Sequence, residues 1–84
     1  TTDLPDRAEL AAVEDTARAA VRRAPTLAFA HEALANALVL QNRTVAARAA
    51  IARAIELDPD SATYRERRAA IESSLAASQD MPAA

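Results

Sequence analysis

The chain has no glycine, no cysteine, no lysine and no tryptophan, and only 2% of its residues are aromatic. Each absence removes a class of protein. Without cysteine there is neither a disulfide staple nor a thiolate metal site, and nothing is implied about compartment. Without glycine there is no phosphate-cradling loop, and the turns that close β-hairpins lose their usual residue. No apolar run approaches the roughly 18–20 residues that span a bilayer, because a charged residue interrupts every segment. The basic start and apolar stretch of a secretory signal are missing from Thr1–Asp6, so the expected compartment is the cytoplasm, with the periplasm open for a fragment. With 10 basic against 12 acidic residues the net charge is −2, and stacking aromatics are scarce. Nucleic acid rewards the opposite composition, so no nucleic-acid partner is expected, and no membrane.

What remains is alanine. Twenty-five of the 84 residues are Ala, the best helix former, and the core must be built from Ala, Leu, Val and Ile. All ten basic residues are Arg, which resembles the coding bias of a GC-rich bacterial genome. The class is all-α. One domain of this length buries only about 60% of the surface its unfolded chain exposes, so its stability is modest.

Punctuation divides the chain into four helices between an N-terminal tail at 1–5 and a C-terminal tail at 78–84, leaving one domain at 6–77. Asp6 and Glu9 have capping-box spacing and open a helix to about Ala24, with the stripe Leu10, Val13, Ala17, Ala20, Val21 and Ala24. Pro25 stops it. Thr26 is expected to cap a second helix, about Leu27 to Gln41, whose Phe29, Leu34, Leu38, Val39 and Leu40 leave little polar face. Asn42 suits the left-handed residue after that helix. Thr44 is expected to cap a third helix to Leu57, carrying Ala47, Ile51, Ala54 and Ile55, and Pro59 ends it. Asp60 or Ser61 caps the fourth, in which Tyr64, Ile71 and Leu75 face the core beside the alkyl stem of Arg68. Its cluster Arg65-Glu66-Arg67-Arg68 reads as a solvated face with an Arg68–Glu72 pair. Short connections make neighbours antiparallel, as a closed four-helix bundle or an open stack of helix pairs.

An internal repeat favours the stack. The interval from Pro25 to Pro59 recurs in the pairs Ala20/Ala54, Val21/Ile55, Ala28/Ala62, Glu32/Glu66 and Ala35/Ala69. Residues 28–59 resemble one complete tetratricopeptide repeat, whose period of about 34 residues is the same interval. His31 stands where that family often has Trp, Leu34-Ala35 where Leu-Gly is usual, and Leu38 where Tyr is usual. Ala47, Ile51 and Ala54 match its small–large–small series, and Ala54-Ile55-Glu56-Leu57-Asp58-Pro59 its close. The first helix resembles the second half of a preceding unit. The fourth resembles a capping helix, although Arg65, Arg68 and Glu72 depart from its apolar pattern.

No catalytic constellation is legible. His31 is the only histidine and reads as a packing residue, since Glu32 beside it points elsewhere on the helix. Asp60-Ser61-Ala62 faintly resembles the attachment site of acyl carrier proteins, but Ser61 reads as an N-cap. Neither a cofactor nor a metal is expected. The resemblance implies instead a protein-interaction module that receives a peptide or helix of a partner along the first helix of each pair. Its groove residues would be Phe29, Glu32, Ala33, Asn36 and Leu40, continued by Thr63, Glu66, Arg67 and Ala70. Phe29 has an alternative reading, as a core staple of the Pro25 turn against Val21. Glu32 stands where relatives that clamp acidic C-termini have Lys, so such tails are disfavoured. Three functional classes stay open: an adaptor, a homo-oligomerisation unit (a homodimer through the apolar run Leu38-Val39-Leu40), and an accessory domain that positions a substrate for a larger enzyme.

Overall fold

The computed structural model describes residues 6–80, with side chains as far as Ala77. Four helices follow one another: α1 (Arg7–Arg23), α2 (Ala28–Leu40), α3 (Thr44–Leu57) and α4 (Ala62–Asp80). Consecutive helices run antiparallel across connections of four, three and four residues. The substantial interfaces join chain neighbours only, and α2 on α3 is the largest. A closed bundle would also pack α1 on α4, and no comparable interface joins them among the described residues. The molecule is an all-α open stack. Its extents of 43 × 32 × 19 Å suit two helix layers, each about 10 Å across.

The core follows from the residues available. Ala35 of α2 meets Ala47, Ile51 and Ala54 of α3, all 0% exposed, with Leu34, Leu38 and Ile71 closing the cluster. Methyl-sized side chains let the two backbones approach, and Leu38 and Ile51 fill the gaps between turns. Leu38 and Ile51 are the largest side chains buried completely.

The helix ends are set by local chemistry. Asp6 caps α1 by accepting the Glu9 amide at 2.8 Å, as its spacing suggests. After α2, Asn42 takes φ 62°, and the amides of Asn42 and Arg43 donate to the Val39 and Leu38 carbonyls at 2.9 Å. That is a Schellman closure with asparagine in place of glycine. Ser61 caps α4 by accepting the Tyr64 amide at 3.2 Å. Two expected caps are corrected. Thr26 is spent in the tight turn closed by Leu27 N–H on the Ala24 carbonyl (3.0 Å), so Leu27 holds the cap position with no side-chain bond. Thr44 is the first residue of α3, because the Schellman closure leaves Arg43 as the residue before it. Val13, expected in the core stripe, is 49% exposed. The α4 backbone runs to Asp80, beyond the expected end at Ala77. The tails at 1–5 and, from residue 81, at the C-terminal end lie outside the described residues.

The Pro25–Pro59 interval recurs in the backbone. Ala24 ends α1 at φ −140°, ψ 70°, and Asp58 ends α3 at φ −143°, ψ 77°. Each cap amide donates to the equivalent carbonyl, of Ala20 and of Ala54. The His31 Nε2–H donates to the Pro25 carbonyl at 2.8 Å, and its equivalent Arg65 sends Nη1 to the Pro59 carbonyl at 2.6 Å. Two chemically unrelated side chains thus make the same tie across the same turn. One corner of the fold is built twice.

Glu14 links α1 to the turn between α2 and α3. Its carboxylate accepts from Arg18 Nε at 2.6 Å, Gln41 Nε2 at 2.8 Å and Arg43 Nη1 at 2.9 Å. The bonds from Arg18 and Gln41, outweighing desolvation and assisted by the Arg43 charge, hold its pKa at about 2 against an ordinary 4.5. A depressed folded pKa stabilises above the unfolded value and is lost as pH falls through the folded one. Wild type should therefore lose stability between about pH 4.5 and pH 2 through this group. Denaturant unfolding of Glu14→Gln across that window should show a stability gap that narrows as pH falls, and a constant gap would contradict the linkage.

Candidate protein-interaction face

Helix α2 presents one outward stripe. Phe29, Ala33, Asn36 and Leu40 are spaced by four, three and four positions, which keeps them on one side of the helix, with Glu32 at its edge. The structure divides this stripe between two neighbours. Glu32 and Asn36 turn towards α4, while Phe29, Ala33 and Leu40 border α1.

On the α4 side, Glu32 is only 8% exposed and lies 3.2 Å from Arg67 Nε. The Asn36 amide Nδ2 donates to the same carboxylate at 3.2 Å. A carboxylate taken from water needs such partners, and removing one would leave a buried charge uncompensated. The pairing is imperfect. The Arg67 N–H is not aimed well enough at Glu32 to form a hydrogen bond, and Asn36 Oδ1 has no donor. One buried donor and one buried acceptor therefore remain unused among the described residues. Beside them Arg67 and Ala70 border a depression of about 150 Å³ floored by Val39, Thr44 and Ile71. Burial, and then the charges of Glu32 and Asp58, push the Tyr64 hydroxyl pKa up, so it stays a neutral donor here.

Thr63 and Glu66 are exposed on α4. Leu40 is 60% exposed above Leu10 and Ala11 of α1. Of the run Leu38-Val39-Leu40, only Leu38 is buried, since three successive helical positions cannot all face one core. Phe29 is 65% exposed and stands at the mouth of an open apolar groove between α1 and α2. At that exposure it is no core staple, and that alternative is corrected. The Arg65–Arg68 cluster is not a uniformly solvated row: Arg67 reaches Glu32 and Arg65 ties the Pro59 turn. The expected Arg68–Glu72 pair is absent among the described residues.

Comparison of the chain with protein-family models, curated proteins and solved structures gave no match.

The sequence marks Glu32 and Arg67 as groove positions without showing their pairing. Glu14 is not among the positions it marks, although Arg18 one turn further along is a visible helix partner. Because Phe29 lies mostly in solvent, Phe29→Ala should lower stability by about 0.5 kcal/mol or less. A loss of about 3 kcal/mol in denaturant unfolding would instead mark a core residue.

Proposed function

We propose that the chain is a protein-interaction module of tetratricopeptide type, which receives an extended peptide or helix of a partner on the α2/α4 face. It binds and does not catalyse, and the expectation that accompanies this reading is a cytoplasmic location without a cofactor. The observation that carries it is the pair of polar atoms without a partner among the described residues, Asn36 Oδ1 and Arg67 Nε, beside a depression in which Val39, Ala70 and Ile71 alternate with Asn42, Thr44 and Ser74. Both atoms are closed to solvent, so a peptide backbone reaches them by displacing the part-exposed Arg67 side chain, and then supplies the complements, an N–H for the amide oxygen and a carbonyl for the guanidinium. Burying polar atoms without partners is costly, so a ligand that satisfies them gains more than surface contact would give.

Affinity capture from the source cell, followed by purification of one retained protein, gives the binding assay. Ala70→Arg should weaken that partner by about thirtyfold while leaving the melting temperature near wild type, and Asn36→Ala should weaken it by a similar factor with some loss of stability, because its amide also serves the buried Glu32. Retention of full affinity in both variants would remove the α2/α4 face from the interaction.

A second reading is self-association, favoured by the exposure of Leu40 at the end of α2. In a light-scattering concentration series a homodimer should form and Leu40→Glu should weaken it. A strictly monomeric mass at high micromolar concentration speaks against it.

A further inference from the structure

Glu32 is the one buried charged side chain among the described residues, and its partners serve it incompletely. Both contacts fall on the same oxygen. Asn36 Nδ2 donates to Oε2 at 3.2 Å, and Arg67 Nε stands 3.2 Å from that atom without forming a hydrogen bond. The guanidinium neutralises the carboxylate and leaves it unsatisfied. Asn36 commits its donor to Glu32, and its own buried oxygen has no donor among the described residues. A carboxylate and an amide oxygen thus meet at one point, and the cation beside them completes neither. Arg67 is weakly held there. Its side chain is 41% exposed against 11% for Glu32, so it returns to water with less desolvation to undo. Thr63, Tyr64, Ala70 and Ile71 hold the positions one turn away on α4, so no acid of its own helix retains it. Arg67 is also the residue that both touches Glu32 and lines the depression of about 150 Å³ beside Val39, Ala70 and Ile71. The surrounding field is acidic: Tyr64, packed on the same core, experiences the charges of both Glu32 and Asp58.

We infer that the α2/α4 face selects a partner segment carrying one lysine, whose ammonium replaces the Arg67 guanidinium between Glu32 and Asn36. The inference rests on the reading of that face as a peptide-binding surface and adds the side chain it selects. A guanidinium is a flat, rigid fork, and here its Nε is not aimed at the oxygen it faces. An ammonium has three donors that rotate on a flexible stem, so it can serve Glu32 and Asn36 Oδ1 together. The second lone pair of Oδ1 remains for a backbone N–H of the same segment. The lysine stem lies along the depression, where its methylenes cover Ala70 and Ile71. One cation replaces another, so the charge of the buried site is unchanged, and the displaced guanidinium donates to a carbonyl of the bound backbone. An acidic side chain would meet Glu32 and is rejected. The 84-residue sequence contains no lysine, so neither it nor a second copy supplies the ammonium.

Chemical rescue tests the site with a defined probe. Arg67→Ala leaves Glu32 buried without a cation and should lower the melting temperature. n-Butylammonium chloride copies a lysine side chain from Cβ onward. At about 100 mM it should restore about half of that loss, saturably, relative to sodium chloride of equal ionic strength. In Arg67→Ala/Glu32→Gln the recovery should vanish. If Arg67→Ala does not fold, wild type carries the same test: n-butylammonium should shift the Asn36 side-chain amide resonances, and Glu32→Gln should abolish that titration. Peptides test the selection. Acetylated random short peptides retained by the immobilised chain should be enriched in lysine at one position, and norleucine there should weaken a retained peptide about tenfold. Glu32→Gln should erase the difference. Rescue no better than sodium chloride, or equal rescue in the double variant, would overturn the inference. So would a retained pool that Ala70→Arg abolishes but that shows no lysine preference, an outcome that keeps the face as a peptide site. No retained pool at all, with n-butylammonium still rescuing Arg67→Ala, would instead overturn the peptide-binding reading and the partner lysine with it.

Discussion

Everything in this molecule depends on how closely α2 can lie on α3. A chain with two aromatic residues and no glycine cannot fill a wide inter-helix space, so it must remove the space. Ala35, Ala47 and Ala54 do so by presenting only methyl groups where the helices meet. Close packing then supplies through dispersion what large side chains would supply through area. Alanine in a helix costs no side-chain entropy on ordering, which suits a small domain whose net stability is thin.

Close contact along one face has a consequence for the other faces. Once α2 is committed to α3, its outward stripe is free, and the short turns decide what lies beside it. The Pro25 and Pro59 turns repeat one geometry, so the stack repeats one corner. In the second corner α2 itself is the occupant, held by its leucines and by Glu32 against Arg67. The first corner keeps the same shape with apolar walls exposed. Glu14 meanwhile fastens α1 to the α2–α3 turn through Gln41 and Arg43, so the open corner has a fixed wall on the α1 side.

The helices were legible because their stops are chemical. Two prolines, a capping Asp6, a capping Ser61 and a left-handed Asn42 mark the ends without reference to the fold. The caps assigned to Thr26 and Thr44 failed for a common reason: each turn is so tight that the hydroxyl residue falls one position away from the cap. Hydrophobic spacing misplaced Val13 and left Phe29 ambiguous, since an apolar residue facing a core and one facing an uncovered corner obey the same period. Partners far apart in the chain were illegible. Glu32–Arg67 and Glu14–Arg43 each join one helix to a distant segment, and their register exists only after the helices have packed. The Pro25–Pro59 interval is a repeat of structure as well as of sequence, because it maps each buried position of one corner onto a named position of the other.

The tightness of the α2–α3 contact can be measured with one substitution. Ala35→Leu adds three carbons where Ala47, Ile51 and Ala54 leave no room, without changing polarity or helix propensity appreciably. Denaturant unfolding should show a loss of about 1–3 kcal/mol, the usual cost of overpacking. An unchanged or raised midpoint would mean that the helices stand further apart than an alanine-built stack allows.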